Sequence, residues 1–114
     1  MIRRDPKALL PLRQNWFHIL LTLSDEPKHG YAIMQEVQER TNGKIKLWPA
    51  TLYGTIRRLE DDRLIEAIEP LEPDESERRQ YYAITPFGRR VLHEEVKRLE
   101  ELVRLAYSRG AVRG

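Results

Sequence analysis

The spacing of apolar residues changes period twice along the chain, and the order of those changes restricts the fold more than any other feature. Trp16, Ile19, Leu20 and Leu23 recur at helical spacing, with Phe17 and Leu21 widening the stripe, which predicts a helix over 13–24. "SDEPKHG" breaks it. Tyr31, Ile33, Met34 and Val37 predict a second helix over 30–41. "NG" at Asn42-Gly43 is a left-handed stop signal for it. "KIKLW" is short and alternating, a connector or a small strand. A third helix opens at Pro49, a favourable first-turn residue because its missing N–H costs nothing there, and runs to about Arg63. The period then falls to two. "LIEAIEP" and "RQYYAIT" are short runs rich in β-branched and aromatic residues, separated by the polar "LEPDESER". They predict a hairpin with a long tip, with Tyr82 and Ile84 inward and Tyr81 and Ala83 outward. Helical period returns after "TPFG", with Thr85 as N-cap and Pro86 in the first position, and lasts to about Ser108.

Three short helices followed by a hairpin are the plan of a winged helix-turn-helix. The expected fold is therefore mostly α, in the α+β class, with an added long C-terminal dimerisation helix. Residues 1–85 form the expected DNA-binding unit, N-terminal helix included. Residues 86–114 form the dimerisation helix, which is not an independent domain. At 114 residues there is room for one domain. The chain has no cysteine, so disulfides, thiol catalysis and Cys-based zinc sites are excluded. No apolar run is long enough for a signal peptide or a membrane span, and a cytoplasmic protein without membrane partners is expected.

On a helical wheel, Leu52, Ile56, Leu59 and the stem of Arg63 make the buried side of the third helix. Ala50, Gly54, Arg57 and Asp61 lie opposite. Thr51 and Arg58 occupy one shoulder and Tyr53 the other, where it is also within reach of the core. A mid-helix glycine costs roughly 1 kcal/mol relative to alanine. Ala50 and Gly54 are useful on a face pressed against another surface, because they let the backbone approach. Arg57 and Arg58 suit phosphates or guanine edges, and Thr51 and Tyr53 offer hydroxyls to phosphate. The competing reading is a tolerated glycine between solvated arginines. Asp61 and Asp62 sit at the C-terminal end, away from the half that usually reads bases.

The formal net charge of +2 conceals an uneven distribution. Residues 64–77 hold Glu66, Glu69, Glu72, Asp74, Glu75 and Glu77 and no base, so the rest of the chain is clearly basic. The hairpin tip should be repelled by phosphate. Arg78 and Arg79, at the base of the return strand, are the better DNA-contact candidates, with ion pairs to Glu75 or Glu77 as the alternative.

Leu92, Val96, Leu99, Val103 and Ala106 follow heptad spacing, broadened by Leu102, Leu105 and Tyr107. Such a stripe exceeds what one small core absorbs. The expected dimer surface comprises Trp16, Leu20, Leu92, Val96, Leu99, Leu102, Val103 and Ala106, with the terminal helix of one subunit against the terminal and first helices of the other. Trp16 and Trp48 are candidates for stacking on a small, planar aromatic effector. For Trp16, plain core packing is the competing reading.

"HGYAIMQEV" at 29–37, "PATLYGTIRRLEDDRLI" at 49–65 and "RRQYYAITPFGRRVL" at 78–92 resemble the PadR family of bacterial transcriptional regulators, in the family's order and spacing. A single helix after the wing resembles its short subgroup. The resemblance implies a homodimeric winged-helix repressor of double-stranded DNA with a near-palindromic operator, among relatives that respond to phenolic acids or planar drugs. It implies DNA contacts from Thr51, Tyr53 and Arg57, and approach of Tyr31 to the DNA backbone. No cofactor is expected. Trp48 and Arg13 stand where capping residues are usual, and Ala83 where a base often follows "YY".

An enzyme is disfavoured. His18, His29 and His93 fall on different elements without metal-ligand spacing, and no glycine loop cradles phosphate. The rival reading from another class is a winged-helix protein-interaction module that does not bind DNA, consistent with the acidic wing and low net charge.

Overall fold

A computed structural model describes residues 4–70 and 79–112. Its elements are a 3-10 turn at Pro6–Leu9, α1 (Gln14–Thr22), β1 (Lys28–His29), α2 (Gly30–Arg40), α3 (Pro49–Asp61), β2 (Ile65–Ile68), β3 (Tyr81–Ile84) and α4 (Pro86–Ser108). The apolar stripes of the first three helices converge on one core. Ile19, Leu20, Leu23, Ile33, Val37, Leu52, Ile56 and Leu59 are all buried, and Ile65, Tyr82, Ile84 and Val91 close it from the sheet and α4. The fold is a winged helix with a long C-terminal helix.

The wing is broader than a hairpin. β3 is central, pairing antiparallel with β2 (Ile65 opposite Ile84) and with β1 (His29 opposite Tyr81). Tyr82 and Ile84 face the core, as their alternation predicts, while Tyr81 and Ala83 are half-buried. "KIKLW" contains no strand; it is a connector that buries Leu47.

Helix ends follow local chemistry. Asn42 and Gly43 both have positive φ just after α2. The Thr85 hydroxyl oxygen accepts the Gly88 N–H at 2.9 Å, and Pro86 occupies the first turn of α4. Arg13 and Trp48 make no side-chain cap at α1 and α3. A side chain at Gly88 would place its Cβ 2.1 Å from the Leu64 carbonyl oxygen, so glycine lets α4 cross the α3–β2 junction closely.

Several expectations need correction. Arg63 lies beyond α3 with φ 60° and is exposed, so its stem does not continue the buried side. Tyr31 is on the exposed side of α2, not its apolar side. Leu20 and Leu92, expected at a subunit surface, are already enclosed within one chain; both are core residues.

Candidate nucleic-acid interface

α3 is held from beneath by Leu52, Ile56 and Leu59, each at most 1% exposed. That anchoring turns Ala50, Thr51, Tyr53, Gly54, Arg57 and Arg58 outward, and all six are exposed. A Cβ placed on Gly54 meets no atom within 4 Å, so this glycine relieves no crowding inside the chain. Among the described residues, neither Arg57 nor Arg58 forms an ion pair. The result is a small-residue ridge flanked by uncommitted guanidinium groups.

The start of α2 joins this face. His29 Nδ1 accepts the Ala32 N–H at 3.1 Å, capping α2. Tyr53 lies over Gly30, where a Cβ would sit 2.8 Å from the phenol oxygen. Glycine at 30 thus lets the Tyr53 ring of α3 rest on the first turn of α2. Tyr31 is exposed, and its hydroxyl accepts from Gln35 Nε2 at 3.2 Å.

The wing reaches the same place through β1. Arg79 Nη1 is 3.1 Å from His29 Nε2, and the Tyr81 ring stands edge-on to His29 with centroids 5.4 Å apart. His29 therefore links the α2 start to the return strand of the wing. Sequence reasoning placed it at a helix start but missed this link, because the strand pairing that creates it joins residues far apart in the chain. Arg78, with Glu75 and Glu77 as its proposed ion-pair partners, lies outside the described residues.

The remaining candidates separate into two regions. Val96, Leu99, Leu102 and Val103 are 37–55% exposed along α4, with Ala106 half-buried among them. Trp16 is half-buried against the core and lines a cleft of about 650 Å³ together with Leu9, Pro11, Arg58 and Asp61. Trp48 is 68% exposed and lies outside that lining. The structure does not bring the two tryptophans into one cleft. Among the described residues no cluster of three metal-ligating side chains exists, and no helix is long and apolar enough to cross a membrane.

A family model described as "Transcriptional regulator PadR-like family" matches residues 19–94. An uncharacterized protein X of Lysinibacillus sphaericus is 37% identical over 84 residues, covering 74% of this chain and 76% of that protein. Transcriptional regulator Rv3488 of Mycobacterium tuberculosis is 36% identical over 87 residues, covering 76% of this chain and 77% of that protein. The crystal structure of Bacillus subtilis PadR in complex with operator DNA shares the fold, with a TM-score of 0.63 at 22% identity over 75% of this chain and 48% of that one.

Proposed function

The chain belongs to the PadR-like family of transcriptional regulators, which are not enzymes, and on that premise we propose that it is a repressor that binds a near-palindromic operator as a homodimer. The observation that carries this reading is the outward ridge of α3, where Ala50 and Gly54 are exposed beside Arg57 and Arg58, which form no ion pair among the described residues. A helix with so little bulk on one side can sink into a major groove, and its arginines can then reach base edges and phosphates. Tyr31 and Arg79 flank the ridge and suit the adjoining DNA backbone. The operator complex of the B. subtilis protein supports a fold able to present such a helix to DNA.

Dimerisation follows from the uncovered apolar side of α4, which one short chain leaves in water. Two copies would set their α3 helices about one turn of DNA apart, roughly 34 Å. An aromatic effector stacking on Trp16 would bind beside Arg58, which lines the same cleft, and so weaken the grip on DNA.

Selection of bound fragments from random DNA tests the reading, with gel-shift titration of the recovered site. A site with two-fold symmetry is expected, and Arg57→Ala should weaken binding at least tenfold without changing the dimer mass. Recovery of no sequence preference, or unchanged affinity in Arg57→Ala, overturns it and favours the protein-interaction alternative.

A further inference from the structure

α4 is 23 residues long, yet its buried positions are Gly88, Val91, Leu92 and Glu95, all near its N-terminal end. The last of these anchors is a carboxylate, not an apolar side chain. Glu95 is 2% exposed. Burying a charge is costly unless it is paired and hydrogen-bonded. Here the Leu12 N–H donates to Glu95 Oε2 at 2.7 Å, and Arg98 Nε donates to Oε1.

Leu12 ends an N-terminal strap whose other end is fixed elsewhere. Arg4 donates to the Asp62 carbonyl oxygen at the end of α3, pairs with the Asp62 carboxylate at 3.7 Å, and stacks 4.9 Å over the Phe87 ring. Between these ends, Lys7 and Leu10 lie along α4 beside Glu94, Lys97, Arg98 and Glu101. The strap therefore ties the end of α3 to the point where α4 leaves the core.

We propose that Glu95 is a positioning residue: its carboxylate, braced from within α4 by Arg98, holds the Leu12 N–H of the strap and so sets the angle at which the projecting half of α4 leaves the DNA-reading unit. Residues 96–108 reach roughly 20 Å at about 1.5 Å per residue. A swing of about 10° at Glu95 moves the far end by roughly 3–4 Å, close to the ~3.4 Å rise of one base pair. In a dimer joined through α4, that angle fixes the separation of the two reading helices. This consequence rests on the proposed function; the clamp itself does not.

The test therefore has two arms. The chain has no native cysteine, so paired Gln38→Cys and Arg104→Cys substitutions take spin labels at two exposed positions, one in the core unit and one on distal α4. Labelled chains diluted into unlabelled ones report the intrachain distance alone. Glu95→Leu should at least double the width of the distance distribution. Glu95→Gln, which keeps an acceptor for Leu12, should largely restore it. An unchanged width in folded Glu95→Leu overturns the proposal. If that variant does not fold, Arg4→Gln, which frees the other end of the strap, carries the test, and an unchanged width overturns the proposal. In the second arm, operators are lengthened or shortened by one base pair between half-sites. Wild type should lose at least tenfold in affinity off its best spacing, and folded clamp variants threefold or less. A wild type that binds no DNA defeats the proposed function, while the distance arm still decides the role of Glu95.

Discussion

Three glycines carry three different meanings at the residue scale, and space around each separates them. Gly54 sits mid-helix with open space where a side chain would go. Gly54→Ala should therefore stabilise the protein by about 1 kcal/mol, the helix-propensity difference. If the ridge enters a groove, the same methyl meets DNA, and operator affinity should fall about tenfold, or ~1.4 kcal/mol. Thermal melts and a binding titration on one preparation read both signs, and a parallel rise in stability and affinity would remove the reason for a lean ridge. Gly88 is the opposite case. Its added Cβ would meet the Leu64 carbonyl oxygen, which is itself held by the Thr85 N–H at 3.0 Å and the Thr85 hydroxyl at 3.1 Å. Propensity gain cannot offset that clash, and Gly88→Ala should cost more than ~2 kcal/mol in a denaturant titration. Gly30 opens α2, where its bareness seats the Tyr53 ring of α3. All three look alike in sequence, because the atom that decides each meaning belongs to another element or to a partner.

At the scale of elements, periodicity was legible and long-range pairing was not. α1 to α4 lie where their apolar spacing puts them, and Thr85, Pro86 and the Asn42-Gly43 pair mark their ends as local chemistry dictates. β1 is two residues long, too short to carry a period, and exists because Lys28 and His29 pair with Tyr82 and Tyr81. The exposed ridge of α3 was legible for the same reason as its helix. The link through His29 was not, and neither was the fate of Leu20, since a stripe shows which residues avoid water but not which neighbour covers them. Glu95 was equally hidden, because an acid on a helix reads as surface. Burial alone would raise its pKa. Hydrogen bonds from Arg98 and the Leu12 N–H outweigh burial and hold it below the ordinary glutamate value of 4.5. A carboxyl with a lowered folded pKa contributes stability in full above its unfolded value, and that contribution is lost as pH falls through the folded one. Wild type should thus exceed Glu95→Gln in stability at neutral pH, and the gap should close progressively below about pH 4.5. Unfolding curves for both proteins across pH 3–7 measure it; a gap independent of pH would mean that the charge on Glu95 contributes nothing.

For the whole molecule, the question is how many copies act on one DNA site, and salt can count them. Each basic contact to phosphate releases counterions, so the logarithm of affinity falls with the logarithm of salt concentration by about 0.9 per contact. Arg57, Arg58 and Arg79 are exposed in each chain, and if all three meet phosphate a dimer makes about six such contacts and gives a slope near −5. Arg58→Gln then removes a contact from both copies at once and should flatten the slope by about 2. A monomer carrying the same change loses only about 1. Leu102→Glu supplies that monomer, since Leu102 is 49% exposed on α4, outside the single-chain core, and a carboxylate there would be buried only in the dimer. Its slope should be about half that of wild type, with far weaker binding because the second half-site no longer assists. Sedimentation establishes the mass of each variant, and titrations from 50 to 300 mM salt give the slopes. A Leu102→Glu protein that stays dimeric would relocate the interface away from distal α4. A monomer with the full wild-type slope would mean that one chain makes every contact, and the two-fold operator would lose its basis.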